Sequence, residues 1–178
     1  MHRAFTIAAV ALVVSACNRP AAEAPAPAIS DANIAAIVVT ANTIDIQYAD
    51  MALAKSQNGD VREFAEMVKK DHQSVNEAAA ALVTRLGVTP EMNSVAFDLR
   101  DDAETKRLTL RDFEGAAFDS AYAANEVTYH TTVLGAIDNA LIPSAQNAEL
   151  KALLVAVRPA VAAHLDHARE LVAKVSRR

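Results

Sequence analysis

The chain has 178 residues, a formal net charge of −5 and a single cysteine. That length suits one domain with a hydrophobic core of its own. The acidic balance argues against a nucleic-acid-binding protein, and one cysteine excludes an internal disulfide and any cysteine-rich metal site. With only 4 Gly, 6 Pro and 4% aromatic residues, the alanine-rich composition favours helices. No run of 18 apolar residues occurs that would predict a transmembrane helix.

The first residues have the order of a bacterial export signal. Residues 1–3 include a positive charge, residues 4–14 are apolar, and small residues lead to Cys17. This order resembles the lipobox of bacterial lipoproteins, which implies a signal peptide over residues 1–16 and lipidation of Cys17. Asn18, where Asp would be the alternative, then implies the periplasmic side of the outer membrane. An ordinary Ala-x-Ala cleavage site with an incidental cysteine is the other interpretation.

A spacer rich in proline and alanine follows the cysteine, so that the anchor and spacer together cover residues 17–29. Alternating Pro and Ala favour an extended chain of about 3.1 Å per residue, which can hold a domain away from a lipid anchor. We therefore expect the folded domain over residues 30–178.

Start and stop signals predict four long helices in that domain. Ser30 or Asp31 is placed to cap the first helix, which extends to about residue 56. Asp60 is placed to cap the second, with Glu63 as its capping-box partner, and this helix ends near residue 87.

The second half of the chain predicts two more long helices after a charged crossover. The crossover carries a short helix at about residues 96–110. The third long helix is expected over residues 115–141, ending before Pro143. The fourth is expected over residues 145–175, with a kink at Pro159 because the apolar period continues on both sides of it.

Apolar residues recur along each long helix at alternating spacings of four and three. In the second helix these positions are Val61, Ala65, Val68, His72, Val75, Ala79, Leu82 and Leu86. Spacings that average 3.5 residues are typical of the core positions of four-helix bundles. The sequence therefore predicts an all-α four-helix bundle with a long crossover between its second and third helices.

Histidines interrupt the apolar positions of three different helices, at His72, His130 and His164. Asp45 borders the apolar positions of the first helix, and Glu126 precedes His130 by one helical turn. Asp45 and His72 are equally distant from the turn at residues 58–59, so in antiparallel helices they face each other. All five side chains are expected near the middle of the bundle.

Imidazoles and carboxylates that converge inside a bundle are the usual components of its metal sites. The candidate ligands are therefore His72, His130, His164, Asp45 and Glu126. The alternative is a buried polar network in which each histidine is satisfied by one of these carboxylates or by a tyrosine hydroxyl. The tyrosines considered for that role are Tyr48, Tyr122 and Tyr129. Asp71 is expected to face the surface or a neighbouring helix.

The carboxylate pattern also indicates which kind of metal site is expected. Di-iron bundles use Glu-x-x-His pairs, and this chain has none. Three histidines with one carboxylate suit a single divalent transition-metal ion such as zinc or copper better than a di-iron redox centre.

Two segments resemble the bacterial family called domain of unknown function 4142. One is Phe-Ala-x-x-Met-Val-x-x-Asp-His, ending at His72, and the other is Gly-Ala-Ala-Phe-Asp-x-x-Tyr in the third helix. The resemblance covers about residues 30–175 and implies an exported or outer-membrane protein with a ferritin-like bundle. It carries over His72, His130 and His164 as the family's histidine positions. Family members often have Glu in place of Asp45 and seldom an acid in place of Glu126.

Two functions follow from these observations. The favoured one is a non-catalytic exported lipoprotein with a role in envelope maintenance or stress, and the alternative is a metal-binding bundle. No catalytic residue is assigned, because Cys17 serves the anchor and no nucleophile elbow or phosphate-binding glycine loop occurs. The expected partner is the membrane, reached through Cys17, and nucleic acid is not expected. No protein partner is indicated, and a homo-oligomer stays open.

Overall fold

Five helices follow one another in the computed structural model, which describes residues 29–177. They are α1 (Asp31–Lys55), α2 (Gly59–Leu86), α3 (Ser94–Arg111), α4 (Gly115–Ala136) and α5 (Ala148–Val175). A π-helical turn at Ile137–Leu141 and a short α-helical segment at Ile142–Ser144 prolong α4. The prediction of an all-α fold is confirmed, since the described residues contain no strand.

The structure confirms the predicted cap of α1 and corrects the predicted cap of α2. Ser30 caps α1 in a reciprocal capping box with Asn33. The expected Asp60 cap of α2 is wrong, because Asn58 is the cap and its side-chain oxygen accepts from the Asp60 N–H at 3.0 Å. Asp60 thus lies in the first turn, where a carboxylate interacts favourably with the helix dipole.

The end of α4 also differs from the prediction. Helical structure does not stop before Pro143 but continues to Ser144. A proline clashes with the carbonyl four residues earlier in a regular α-helix. The wider π turn precedes it here, with the Ile142 N–H bonded to the Ile137 carbonyl. Helix α5 then begins at Ala148, capped by Asn147, and continues without a break through Pro159.

Packing brings the four long helices around a common interior. Helix α1 packs along α2, α4 packs along α5, and α2 contacts α5. Helix α3 lies in the long connection between α2 and α4 and packs on α1. It does so through a narrow stripe spaced by seven residues, Ala96, Ala103 and Leu110. The more specific ferritin-like arrangement stays a prediction.

The core consists of two clusters separated along the helix axes. The aromatic cluster contains Tyr48, Phe64, Phe118, Tyr122 and Tyr129 with smaller residues around them. The aliphatic cluster has no aromatic member and includes Ile34, Ile37, Leu82, Ile137, Leu141, Leu150, Leu154 and Val161. His72, His130 and His164 fall between the segments of their helices that build these two clusters, whereas Asp45 and Glu126 lie at the edge of the aromatic cluster.

The expected signal peptide, Cys17 and nearly all of the spacer lie outside the described residues. Within residues 29–177 no helix combines the length and apolar character needed to cross a membrane.

Candidate metal centre

A layer of buried polar side chains lies between the aromatic and aliphatic clusters. Asp45 on α1, His72 on α2, Glu126 and His130 on α4, and His164 on α5 are all buried, and none is more than 5% exposed. The three imidazole rings lie 5.2–5.8 Å apart between centroids. The structure therefore brings together all five residues that the sequence proposed as ligands.

Asp45 stands at the middle of this layer. Its Oδ2 lies 2.7 Å from His72 Nε2 and 3.2 Å from His130 Nε2. Neither contact is aligned as a hydrogen bond, and both Asp45 oxygens and both Nε2 atoms have no hydrogen-bond partner among the described residues. One carboxylate oxygen is thus close to two ring nitrogens.

Each histidine uses its other ring nitrogen for a different partner. His72 Nδ1 donates to Asn42 Oδ1 at 2.6 Å, and His130 Nδ1 donates to the Glu126 backbone carbonyl at 3.0 Å. His164 Nε2 donates to Asp71 Oδ2 at 3.0 Å. Because each of these nitrogens faces an oxygen acceptor, it carries the N–H of the neutral imidazole. The other nitrogen of the ring then has a lone pair.

Those opposite nitrogens are the ones that lack partners. His72 Nε2, His130 Nε2 and His164 Nδ1 are buried and have no hydrogen bond within residues 29–177. Histidines that bind a metal usually donate the N–H of their other ring nitrogen to an oxygen acceptor, as these three do. Buried polar atoms are otherwise almost always satisfied, so three convergent orphans point to a missing cation or proton.

Glu126 differs from Asp45 in its pKa, although both are fully buried. Burial raises the pKa of Asp45, but where His130 and His72 carry a proton on Nε2 these rings outweigh that effect and hold the pKa of Asp45 far below its usual value. Burial raises the pKa of Glu126 well above its usual value, and the neighbouring Asp45 charge raises it further. Of the two carboxyl groups, Asp45 therefore ionises the more readily, and Glu126 keeps its proton to a higher pH than a free glutamate does.

His164 is neutral at the same pH. Burial lowers its pKa, and the hydrogen bond with Asp71 offsets this only in part. A neutral imidazole whose Nε2 donates to a carboxylate keeps its Nδ1 lone pair available for an electrophile.

The tyrosine hydroxyls do not satisfy the histidines, which corrects the polar-network alternative. Tyr129 Oη donates to the Ala41 carbonyl at 2.7 Å, and Tyr48 Oη lies 3.5 Å from the Ala103 carbonyl. Tyr122 Oη has no hydrogen-bond partner in the described part of the chain. The polar-network alternative is thereby reduced to the imidazoles and the carboxylates.

Comparison with known proteins places the chain in a family. The model of the family described as Domain of unknown function (DUF4142) matches residues 16–171. The chain belongs to this family. The resemblance found in the two sequence strings is thereby confirmed. No curated protein and no solved structure matches the chain. The family description assigns no biochemical role, so the chemistry follows from the residues themselves.

The donors form two overlapping groups that could hold a metal ion. One group is His72, His130 and His164, and the other is Asp45, Glu126 and His130. Within each group one ligand atom per residue lies within 4.8 Å of the others. Imidazole and carboxylate donors of this kind suit zinc and copper.

Sequence reasoning missed Asn42, which orients His72. Its amide is fixed because Nδ2 donates to the Val38 carbonyl at 2.9 Å, which leaves Oδ1 facing the imidazole. The one available signal was its position one turn before the Asp45 level, on a buried face otherwise made of apolar residues. Asp71 was expected to face the surface or a neighbouring helix, and it reaches His164 of α5.

Proposed function

We propose that this protein binds a single transition-metal ion, zinc or copper, in the centre of its bundle. His72, His130 and His164 supply the nitrogen ligands and Asp45 supplies a carboxylate oxygen. One observation carries the proposal: each histidine has its far nitrogen fixed by an oxygen acceptor while its near nitrogen converges, unpartnered, on the same layer.

Electrostatics at Asp45 supports a cation in this position. Where His72 Nδ1 carries the proton, Nε2 and Asp45 Oδ2 face each other as two lone-pair acceptors at 2.7 Å. Two acceptors at that distance repel each other unless a proton or a metal cation lies between them. A metal ion relieves this repulsion for His72 and His130 at once, because both nitrogens approach the same oxygen atom.

Ligand spacing is compatible with such an ion. Tetrahedral zinc with ligands at about 2.0–2.1 Å places neighbouring ligand atoms about 3.3 Å apart. Asp45 Oδ2 and His130 Nε2 already stand at 3.2 Å. The three histidines each offer a ring nitrogen within 4.8 Å of the others, and His72 Nε2, at 2.7 Å from Asp45 Oδ2, would move slightly away from that oxygen on binding the ion.

A di-iron centre is disfavoured by the carboxylate count. Di-iron bundles bridge their ions with several glutamates, whereas this layer contains two carboxyl groups, and burial raises the pKa of one of them, Glu126, which makes it the poorer anionic ligand. The competing proposal is a metal-free network in which protons on the imidazoles satisfy Asp45.

Elemental analysis and a zinc titration distinguish the two. Protein purified without chelator and without a nickel-affinity tag is expected to contain close to one zinc or copper ion per chain. Added zinc should raise the melting temperature of metal-free protein, since the unfolded chain lacks the assembled site. At a free zinc concentration 100 times the Kd the stabilisation is about 2.7 kcal/mol.

A matched pair of variants tests the location. His164→Ala should abolish the zinc response and His130→Ala should weaken it strongly. His167→Ala is the control, because this histidine is exposed and follows His164 by three residues on the same helix. A zinc response that survives both His130→Ala and His164→Ala would contradict the proposal. So would a melting temperature indifferent to zinc and copper, combined with a large loss of metal-free stability in His164→Ala.

We further propose that the chain acts as an outer-membrane lipoprotein with a non-catalytic role in the cell envelope. The support comes from the order of charged, apolar and small residues before Cys17 and from the proline–alanine spacer after it. Cys17→Ser should release the protein from membranes or leave an uncleaved precursor, because the thioether link to lipid is lost. Unchanged membrane fractionation together with an unchanged mass would contradict this assignment.

A further inference from the structure

An apolar chamber of about 140 Å³ adjoins the histidine layer on the side of the aliphatic cluster. Its walls come from all five helices and the π turn, and His72, His130 and His164 are among the lining residues. Asp45 and Glu126 are absent from the lining residues. The chamber therefore approaches the three imidazoles from the side that the two carboxyl groups do not occupy.

We propose that this chamber binds a small uncharged molecule, about one aromatic ring in size, whose single lone-pair donor faces the histidines. The size follows from the volume, since an engineered protein cavity of about 150 Å³ accommodates benzene. The position of the donor atom rests on the proposed metal site, whereas the binding of an apolar molecule in the chamber does not.

The aliphatic walls disfavour a charged ligand, although the carboxylate of Asp71, which accepts from His164, also lies in the lining. Apart from the histidine layer and its partners, the lining is dominated by aliphatic side chains such as Ile37, Val75, Val133, Leu141 and Leu154. An ion moved into such surroundings loses its hydration without gaining partners, at a large cost. An apolar molecule loses nothing of that kind and fills space that close-packed interiors normally leave to side chains.

One buried polar atom marks the inner end of the chamber as a ligand position. His164 is 3% exposed and lines the chamber, and its Nδ1 has no hydrogen-bond partner in residues 29–177. With an ion on the three histidines, the chamber is the direction from which an additional ligand can approach without displacing Asp45. Such a molecule would give its lone pair to the ion, because His164 Nδ1 is itself an acceptor, and would place its apolar body against the aliphatic walls.

The local backbone also widens this side of the bundle. Ile137 and Leu141, the first and last residues of the π turn, both line the chamber. A π turn inserts an extra residue into the helix, and such turns occur frequently at functional sites. Exposed lining residues, including Val95, Thr132 and Ala160, place the entrance at the surface.

Two probes of equal shape separate the two parts of the proposal. Fluorobenzene tests the apolar body in metal-free protein, where ¹⁹F NMR should show saturable binding. Pyridine tests the donor atom. In cobalt-loaded protein it should alter the visible cobalt spectrum and bind at least tenfold more tightly than fluorobenzene. In metal-free protein that preference should disappear.

Variants on α5 give a matched control. Val157 lines the chamber, whereas Val155 on the same helix is 53% exposed and does not. Val157→Phe should abolish fluorobenzene binding, and Val155→Phe should leave it unchanged. Where Val157→Phe does not fold, Ala136→Leu on α4 fills the same chamber from the opposite wall.

The outcomes keep this inference separate from the metal proposal. Absence of saturable fluorobenzene binding, or binding that survives both Val157→Phe and Ala136→Leu, overturns the chamber assignment even when metal is bound. Fluorobenzene binding that depends on Val157, in a protein that binds no metal, supports the chamber and overturns the metal site. Equal affinities for pyridine and fluorobenzene in cobalt-loaded protein overturn the assignment of the donor atom.

Discussion

The two ends of the bundle core are built from different side chains. At one end, large rings interlock: Phe118 stacks on Tyr122 with centroids 6.0 Å apart, and Phe64 meets Tyr122 edge-on at 6.2 Å. At the other end, the aliphatic cluster has no ring among its buried members and leaves a chamber of about 140 Å³. The aromatic end has a recess of its own, of about 230 Å³, but charged side chains such as Glu63 and Lys174 line it together with Phe64. The polar layer thus lies between this end and the aliphatic end, whose chamber has mainly apolar walls.

This difference indicates a division of labour within one fold. Aromatic side chains bury the largest areas and their packing tolerates little change. An unfilled aliphatic cavity is destabilising in proportion to its volume. The aromatic end is therefore expected to provide most of the stability, while the aliphatic end leaves the histidines accessible to small molecules.

The largest expected effect comes from the aromatic end. Phe118→Ala removes a fully buried ring from its stack on Tyr122 and should lower the free energy of unfolding by about 3–5 kcal/mol. Urea denaturation monitored by circular dichroism measures this loss.

A substitution at the aliphatic end is the matched control. Leu154 is also buried, but its side chain lines the chamber and so contacts fewer neighbours on that side. Leu154→Ala is expected to cost about 2–3 kcal/mol, near the lower end for such changes. A loss at Leu154 equal to that at Phe118 would show that both ends are packed alike, and the contrast between them would fail.

Removing each of the two carboxyl groups of the polar layer is predicted to lower the free energy of unfolding by a different amount. Asp45→Asn removes an ionised group that His72 and His130 approach, and should cost about 1–3 kcal/mol in metal-free protein at pH 7. Glu126→Gln introduces a neutral group of the same shape and should cost below about 1 kcal/mol, because burial raises the pKa of Glu126 and so favours its uncharged form. Chemical denaturation in the presence of a chelator measures both.

A larger loss of stability in Glu126→Gln than in Asp45→Asn would mean that the proton resides on Asp45 and the charge on Glu126. That result would also weaken the proposed metal site, because the carboxylate that approaches two ring nitrogens would then be neutral. Glu126→Gln is the more informative of the two variants, since it changes the charge only if Glu126 is ionised.

Much of the architecture was predictable because helix periodicity is a local property. The spacing of apolar residues placed Val61, Val68 and Leu82 in the core, and all three are buried. Helix ends were less predictable where two capping residues compete, as at Asn58 and Asp60. The π turn was not predictable, because Ile137–Leu141 satisfies the α-helical pattern equally well and tertiary packing selects between the two.

Helix periodicity also predicted that the candidate ligands lie at one level of the helices. It did not predict which hydrogen-bond partners orient them. Antiparallel geometry sets Asp45 opposite His72 once the turn between their helices is known, and they lie 2.7 Å apart. The partners on the far side of each ring depend on side-chain rotamers that spacing does not specify. Asn42 and the contact of Asp71 with His164 are of this kind.

A smaller effect is expected from the protonation of His164, which lies where the polar layer meets the chamber. Its pKa is below 6.5 in the folded protein because it is buried. The unfolded chain therefore binds its proton first as pH falls, and the stability contributed by the neutral ring, present above pH 6.5, is lost below it. Metal-free wild-type protein should lose more stability between pH 7.5 and 5.5 than His164→Gln does.

The groups facing His164 are Asp71, His72, His130 and Asp45. Comparing wild type with His164→Gln isolates the contribution of this ring. Parallel pH profiles for the two proteins would show that His164 is protonated as readily in the folded chain as in the unfolded one.

The smallest expected effect tests whether an ion pair on the π turn stabilises the wall of the chamber. Asp138 in that turn accepts two hydrogen bonds from Arg158 of α5, at 2.5 and 2.7 Å, and they hold its pKa below the usual 3.8. A depressed carboxyl pKa contributes stability above pH 3.8 that is lost as pH falls through the lower folded value. Asp138→Asn should therefore lower the melting temperature slightly at pH 6, and the difference should vanish near pH 3. Lys174→Gln, which removes the contact of this ammonium with Asp60 at 3.0 Å, should change it less, because Arg158 donates two hydrogen bonds to its carboxylate and the Lys174 side chain is half exposed. A larger effect at Lys174 than at Asp138 would show that the π turn needs no such support.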